Sequence, residues 1–371
     1  MRILVDYRPA LRARTGVGEY MHELVRAFAA TAADDVAIFT SSWRDRPRAT
    51  VAAELGARVV DRRVPVHLLN YLWHRLEWPP VEWLAGSCDV VHAAHPLMIP
   101  ARRAARVVTI HDLFFLSSPD RTRAEIRRDY PRLTASHATR ADAIVTPSHY
   151  TKGLVVDLLR VAPDRIYVCS PGAPRWETLG QAPNVPADGY LLFFGTLEPR
   201  KNLGILLDAY EQLARDGRPA PRLVVAGGAT EDAGPWLERM RRPPLSQVVE
   251  HIGYVPHDAR ERLYAGARAL ALPSLDEGFG LPVLEAMSAG LPVIVSNRGS
   301  LPEVVGTAGS IVPADDAAAW AAAIARTHDD QPWMRAQGAA SLARAATFTW
   351  SGAAAQLRQA YMDAVARRRA R

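Results

Sequence analysis

Two glutamates eight positions apart, Glu277 and Glu285, stand in the run Pro273-Ser274-Leu275-Asp276-Glu277-Gly278-Phe279-Gly280-Leu281-Pro282-Val283-Leu284-Glu285-Ala286. Pro282 sits where a helix takes proline in its first turn. Backbone N–H groups at such a helix start favour a phosphate. Glu277 lies in the loop and Glu285 one turn into the helix, so their carboxylates can grip two ends of one elongated polyhydroxylated ligand. A lone glutamate pair would ordinarily be solvated, and the glycine loop argues against that account here. Upstream, Gly195-Thr196-Leu197-Glu198-Pro199-Arg200-Lys201-Asn202 places two cations together after an apolar strand. Such a pair suits a diphosphate, Arg as a fork and Lys as a point charge. Surface charges opening the next helix are the duller reading. It weakens because the 45 basic residues comprise 43 Arg and only Lys152 and Lys201. A His–Asp pair, His111-Asp112, closes another strand, although a lone histidine is more often structural. Thr15-Gly16-Val17-Gly18 reads as a loop whose missing side chains admit a ligand to the backbone.

The elements that must position these residues alternate along the chain. Strands are expected at Arg2–Asp6, Val36–Phe39, Arg58–Val60, Asp89–His92, Val107–Ile110, Ala143–Thr146 and Ile166–Ser170. A helix is expected from about Glu19, with Met21, Leu24, Val25 and Phe28 at helical spacing. Pro171, Pro174, Pro183 and Pro186 then break the pattern as a linker. It restarts at Tyr190–Phe194, Leu223–Ala226, Val249–Gly253, Ala269–Leu272, Val293–Ser296 and Ser310–Val312. Strands separated by helix-length segments imply parallel sheets. The expectation is two Rossmann-like α/β domains facing each other, residues 1–186 and 187–349, with a last helix from 350 packing back on the first. Ligands of such sheets bind at the carboxyl ends of the strands.

Composition narrows the class. A chain of 371 residues with 49% hydrophobic and 23% charged residues is neither fibrous nor disordered. Cys88 and Cys169, its two cysteines, offer no disulfide framework and no CxxC metal signature. The opening Met1-Arg2-Ile3-Leu4-Val5-Asp6 is unlike a secretory leader, and no apolar run approaches the roughly 18–20 residues of a membrane helix. The expectation is a cytoplasmic protein. A net charge of +6 points to anionic partners.

Together these loops resemble the retaining nucleotide-sugar glycosyltransferases of family 4, which have the GT-B fold, and the resemblance spans almost the whole chain. Glu277-Gly278-Phe279-Gly280 through Glu285 is its most specific motif, followed by Glu198-Pro199-Arg200-Lys201-Asn202. Ile110-His111-Asp112 and Thr146-Pro147-Ser148-His149-Tyr150-Thr151-Lys152 fit the first domain. The resemblance implies that Arg200 and Lys201 bind the donor diphosphate, Glu285 the ribose hydroxyls and Glu277 the donor sugar. His111 would lie beside the transferred sugar, and Gly16 and Gly18 near the phosphates. Thr196, Tyr254, Gly278, Phe279, Gly280 and Leu281 complete the implied donor site. Thr196 departs from the pattern, since many members place a second Arg there. The implied reaction is retaining, metal-independent hexosyl transfer with no cofactor. Its donor would be a nucleotide-diphosphate sugar, with GDP-mannose favoured, and its acceptor a glycan or a lipid-linked one.

Three enzymatic rivals fit less well. A glycoside hydrolase needs two carboxylates flanking one bond, whereas Glu277 and Glu285 share one loop–helix unit. A dinucleotide oxidoreductase lacks its G-x-G-x-x-G after the first strand. An epimerase or glycan phosphorylase on the same fold is the closest rival, since fold alone does not assign function. A nucleic-acid-binding protein lacks a basic patch with interleaved aromatics. Peripheral membrane contact is suggested by Val66–Leu84, which holds Leu68, Leu69, Tyr71, Leu72, Trp73, Trp78 and Trp83. Those rings either touch lipid or a lipid-linked acceptor, or, as favoured, pack into the first domain or line its cleft.

Overall fold

The computed structural model describes residues 1–11, 16–31, 34–118 and 124–371, without the side chains of 124–129. The chain forms two compact units. One is Met1–Gly172 with Thr349–Arg371, and the other is Ala173–Phe348.

The first unit is built on seven strands: β1 (Arg2–Asp6), β2 (Asp35–Ser41), β3 (Arg58–Arg62), β4 (Val90–Ala93), β5 (Ala105–Thr109), β6 (Ala143–Thr146) and β7 (Ile166–Val168). They pair in the order β3-β2-β1-β4-β5-β6-β7, every pair parallel. Each strand alternates between two cores. Ile3, Val5, Val36 and Ile38 enter one, while Leu4, Ala37 and Phe39 enter the other. A sheet covered on both faces demands this near-continuous apolar composition. The helix Gly16–Thr31 covers one face together with Trp350–Arg369, whose Leu357 and Tyr361 are buried there. The Tyr361 hydroxyl meets His92 Nδ1 at 2.7 Å. The last helix therefore packs on the first sheet, as expected.

The glycine segment differs from expectation. Gly16 and Gly18 form the first turn of the helix Gly16–Thr31 rather than a loop, and Thr15 lies outside the described residues. A Cβ on Gly18 would stand 2.7 Å from the Pro9 carbonyl oxygen. Its missing side chain thus lets the helix seat against the turn Arg8–Ala10.

The second unit has six strands: β8 (Tyr190–Phe194), β9 (Leu223–Ala226), β10 (Val249–Gly253), β11 (Ala267–Leu272), β12 (Val293–Ser296) and β13 (Ser310–Val312). Their order is β10-β9-β8-β11-β12-β13, again all parallel. Leu191 and Phe193 face one core and Leu192 the other. The proline-rich segment expected to link the domains packs within this unit, so the division falls at Gly172 rather than 186. The cause is local bonding: the Trp176 ring packs tilted against Tyr264 at 5.4 Å, and the Asn184 amide donates to the Tyr264 and Ala265 carbonyls.

Both sheets reverse their winding direction once, between β1 and β4 and between β8 and β11. Loops after those strands diverge and leave a crevice, the usual ligand position in open α/β sheets.

Candidate active site

At the β8/β11 reversal, the loop after β8 makes a short turn, Pro199–Lys201, closed by Asn202 in left-handed conformation (φ 54°). The Asn202 side-chain amide donates to the carbonyls of Pro273 (3.1 Å) and Ala314 (2.8 Å), tying three strand ends together. The Leu275 N–H donates to the Arg200 carbonyl at 2.8 Å. These bonds bring the cationic pair onto the glutamate loop.

Lys201 is buried, and its Nζ lies 2.6 Å from Glu277 Oε1. Arg200 Nη1 lies 3.3 Å from Glu277 Oε2 and donates to the Asp276 carbonyl at 3.0 Å, while Nη2 pairs with Glu198 at 2.9 Å. The Ser274 hydroxyl donates to Glu277 Oε1 at 2.7 Å. Burial alone would raise the Glu277 carboxyl, but Lys201 and then Arg200 overcome it and hold its pKa at about 2. The carboxylate is therefore ionised throughout the neutral range. Ser300 fixes the loop by donating its N–H (3.0 Å) and hydroxyl (2.9 Å) to the Glu277 carbonyl. Gly299 must be glycine: its φ is +62° and a Cβ would approach Glu277 N to 2.5 Å.

Glu285 occupies a second buried position, on the helix Leu281–Ser288. Arg260 Nη1 lies 2.8 Å from its Oε1, and the Tyr264 hydroxyl donates to Oε2 at 2.7 Å. Arg260 and Tyr264 went unnoticed in the sequence. Their signal was an i, i+4 pair placing both side chains on one helical face. Phe279 is buried with its ring 5.6 Å from Phe348, so that side chain serves the core and only its backbone is left to face a ligand. Gly280, at φ +95°, opens the helix, while Leu281 is half-buried. Thr196 and Tyr254 are both exposed, after β8 and β10.

The first unit repeats this arrangement with other chemistry. At the end of β1, Asp6 is buried and paired with Arg8 at 2.8 Å; after β4, His95 Nε2 stands 3.5 Å from Asp6 Oδ2. His111, after β5, meets the Ala94 carbonyl at 3.1 Å and takes the Tyr20 ring edge-on at 5.3 Å. Burial lowers the pKa of His111 and takes that of His95 down to about 4, so both are neutral near pH 7. Lys152 is structural, donating to the Ile166 carbonyl at 2.8 Å. Among the described residues no three ligand-type side chains cluster as a metal site would require.

Similarity to known proteins agrees with this geometry. A family model described as "Glycosyltransferase Family 4" matches residues 14–175, and one described as "Glycosyl transferases group 1" matches 188–330. The O-antigen chain mannosyltransferase B of Escherichia coli is 32% identical over 384 residues, covering 97% of this chain and 99% of the relative. The chain belongs to the family 4 glycosyltransferases. Its fold matches the sucrose-phosphate synthase of Thermosynechococcus elongatus with TM-score 0.74, at 21% identity over 98% of each chain. The Anabaena protein HepE, solved with UDP and glucose, matches with TM-score 0.73 at 18% identity, over 97% of this chain and 98% of that one. This glycosyltransferase thus has the GT-B architecture of two parallel-sheet units. No helix among the described residues is long and apolar enough to cross a membrane.

Proposed function

We propose that this glycosyltransferase moves a hexose from a nucleotide-diphosphate sugar, with retention at the anomeric carbon and without a metal ion. The favoured donor is GDP-mannose and the acceptor a glycan or lipid-linked glycan of surface-polysaccharide or glycoconjugate synthesis. The observation carrying this reading is the buried cluster of Lys201, Arg200 and Glu277 at the β8/β11 reversal. The Escherichia coli mannosyltransferase supports the choice of sugar and pathway.

In this reading Lys201 presents its remaining Nζ donors to the diphosphate, with Arg200 beside it. Their charge takes the place of a metal ion as the leaving group becomes more negative. Glu277, ionised and fixed by Ser274 and Ser300, accepts hydrogen bonds from hydroxyls of the donor sugar. Glu285, oriented by Arg260 and Tyr264, accepts those of the ribose. Gly278, Gly280 and the Leu281 backbone line the phosphates, with Thr196 and Tyr254 at the rim. In the first unit, the acceptor-binding one, neutral His111 hydrogen-bonds the transferred sugar. The acceptor oxygen bonds to the anomeric carbon from the face the phosphate leaves, and its proton passes to that phosphate oxygen.

The test is product formation by the purified protein with several nucleotide sugars and candidate glycan acceptors. Transfer of mannose from GDP-mannose with the anomeric configuration kept is expected, and activity should survive EDTA. Inversion, a preference for another sugar, or EDTA inhibition reversed by Mg²⁺ or Mn²⁺ would each overturn its part of the reading. Epimerised donor or phosphorolysis without transfer would favour the rival reactions on this fold.

A further inference from the structure

The aromatic segment 66–84 divides in two. Leu69 and Trp73 are buried in the first unit, with the Trp73 ring 5.4 Å from Phe39. Trp78 and Trp83 instead stand 52% and 61% exposed. They also lie away from the crevice. In a parallel sheet all carboxyl ends share one edge, and Asp6, His95 and His111 are found there. Pro100–Ala104, which lead into β5, belong to the opposite edge. A five-residue strand separates the two by about 16 Å.

The two rings meet edge to face, their centroids 6.1 Å apart and their planes at 87°. They wall an open pocket of about 410 Å³ together with Pro80, Pro100, Arg102 and Arg106. Small-ligand pockets span about 300–1,000 Å³. Hydrogen bonds fix these walls. The Val81 N–H donates to the Pro100 carbonyl at 2.8 Å, and Trp73 Nε1 donates to the Pro79 carbonyl at 3.1 Å. Glu82 accepts the backbone N–H groups of Arg102 (2.9 Å), Arg103 (2.9 Å) and Ala104 (3.2 Å), which clamps the helix Val81–Ala85 to the segment before β5. A site held in place beforehand loses little freedom on binding.

The surrounding charge is positive. Arg102, Arg103, Arg106, Arg140, Arg368 and Arg371 stand against Glu77, Glu82, Asp142 and the terminal carboxylate. The end of the helix Trp350–Arg369 reaches the pocket, since Arg368 Nη2 donates to the Arg102 carbonyl at 2.9 Å. The carboxylates are already engaged. Glu77, which also lines the pocket, holds Arg140 through two contacts of 2.6 Å, and Asp142 lies 3.1 Å from Arg371. Arg106 is less well served. Its Nε is buried, 3.8 Å from Asp142, and has no hydrogen-bond partner among the described residues. Burial, and then the charge of Arg368, hold its pKa below the usual guanidinium range. Arg102 remains exposed.

We propose that this pocket binds an acidic oligosaccharide, with a pyranose ring against Trp78 and Trp83 and its uronate carboxylate on Arg102 and Arg106. The carbon-bound hydrogens of a pyranose suit the electron-rich face of an indole. A planar guanidinium matches a carboxylate through two parallel hydrogen bonds. A nucleotide fits less well, because successive backbone N–H groups make the usual phosphate cradle and Glu82 already fills the one present here. Bound at this edge, a polysaccharide keeps a second hold on the enzyme while its end is free for the crevice. Such a hold raises the effective concentration of that end between transfers. That consequence rests on the proposed transfer reaction, whereas the binding itself does not.

The test is isothermal titration calorimetry of the full chain with tetragalacturonate, without donor. Binding is expected, weakening as salt screens the charges, and neutral mannotetraose should bind about tenfold more weakly or less. Trp83→Leu keeps an apolar side chain and removes the ring, so affinity should fall roughly three- to tenfold. Arg102→Gln should lower it severalfold. Both side chains are exposed, and circular dichroism should stay at wild type in each variant. Saturating GDP-mannose should leave the affinity unchanged. Absent binding, equal affinity for mannotetraose, or wild-type affinity in either variant would overturn the proposal. So would displacement of tetragalacturonate by GDP-mannose or by phosphatidylglycerol vesicles. Calorimetry requires no turnover, so failure of the proposed transfer and failure of this site are read separately.

Discussion

The two strand-order reversals occupy the same place in their sheets and hold different arrangements of charge. At β8/β11 two cations close on one buried carboxylate, which they keep ionised at neutral pH. At β1/β4 a single ion pair, Asp6–Arg8, is bordered by histidines that burial keeps uncharged. In the proposed reading, one crevice is thus preorganised for a diphosphate whose charge changes during reaction. The other offers neutral donors and acceptors, suited to hydroxyl groups. Topology sets where a ligand can lie, and the side chains on four loops set what it can be.

The largest effect should come from removing the cation that most directly faces developing charge. Lys201→Ala is expected to lower kcat by about 10²–10³, with a smaller change in donor KM, because its charge counts most in the transition state. Lys201→Arg should recover part of this, since the planar fork is larger than an ammonium. Wild-type turnover at saturating donor in Lys201→Ala, with an intact fold by circular dichroism, would remove the contrast between the two crevices. Glu277→Ala should come next. Lost hydroxyl contacts of about 1.5–3 kcal/mol would impair both binding and transfer. Lys201 and Glu277 touch, so the double variant should cost less than the sum of the singles. Strict additivity of the measured rate effects would contradict a shared role.

Acid should separate the two units. His92 is fully enclosed between Tyr361 and Thr109, and burial drives its pKa down to about 3; His74 falls to about 3 and His137 to about 4 for the same chief reason. Their folded pKa values lie below the unfolded 6.5, so the neutral form belongs to the fold. Stability from this source is complete above pH 6.5 and declines as pH falls from there toward 3–4. For His92 the slope is about 1.4 kcal/mol per pH unit. Glu277 has a depressed carboxylate pKa, so its contribution is complete above 4.5 and is lost only as pH falls through about 2. Hydrogen exchange compared at about pH 7 and pH 5, corrected for intrinsic rates, should show the first unit opening and the second unchanged. Equal loss of protection in both would defeat this account.

Most of this was legible because buried parallel strands have few alternatives. All thirteen strands lie where the apolar runs put them, within a few residues at their ends. The Glu277 loop and the Arg200–Lys201 pair were legible through their place after strands. Three things were not. The first turn of the helix Gly16–Thr31, ahead of the expected start near Glu19, was hidden because glycine reads as loop, and the close approach of Gly18 to Pro9 appears only in three dimensions. The proline segment looked like a linker because hydrogen bonds such as that from Asn184 to the Tyr264 carbonyl join residues 80 apart in sequence. The Asp6–His95 contact joins the end of β1 to the loop after β4, and nothing at either position alone announces the other.

The smallest expected effect lies at the far end of the donor site and sharpens the contrast within the second unit. Glu285 is held from another helix, by Arg260 and Tyr264. If it holds the ribose, its interactions are alike in ground and transition states. Glu285→Ala should then raise donor KM with kcat little changed, by a contact worth about 1.5–3 kcal/mol. Tyr264→Phe is the finer probe, since it removes one neutral donor to the same carboxylate and keeps the ring against Trp176. A net hydrogen bond of about 0.5–1.5 kcal/mol predicts a KM rise of roughly two- to tenfold. A loss in kcat matching that of Lys201→Ala would place Glu285 with the reacting groups, and the division of the site into a charge-stabilising end and a gripping end would fail.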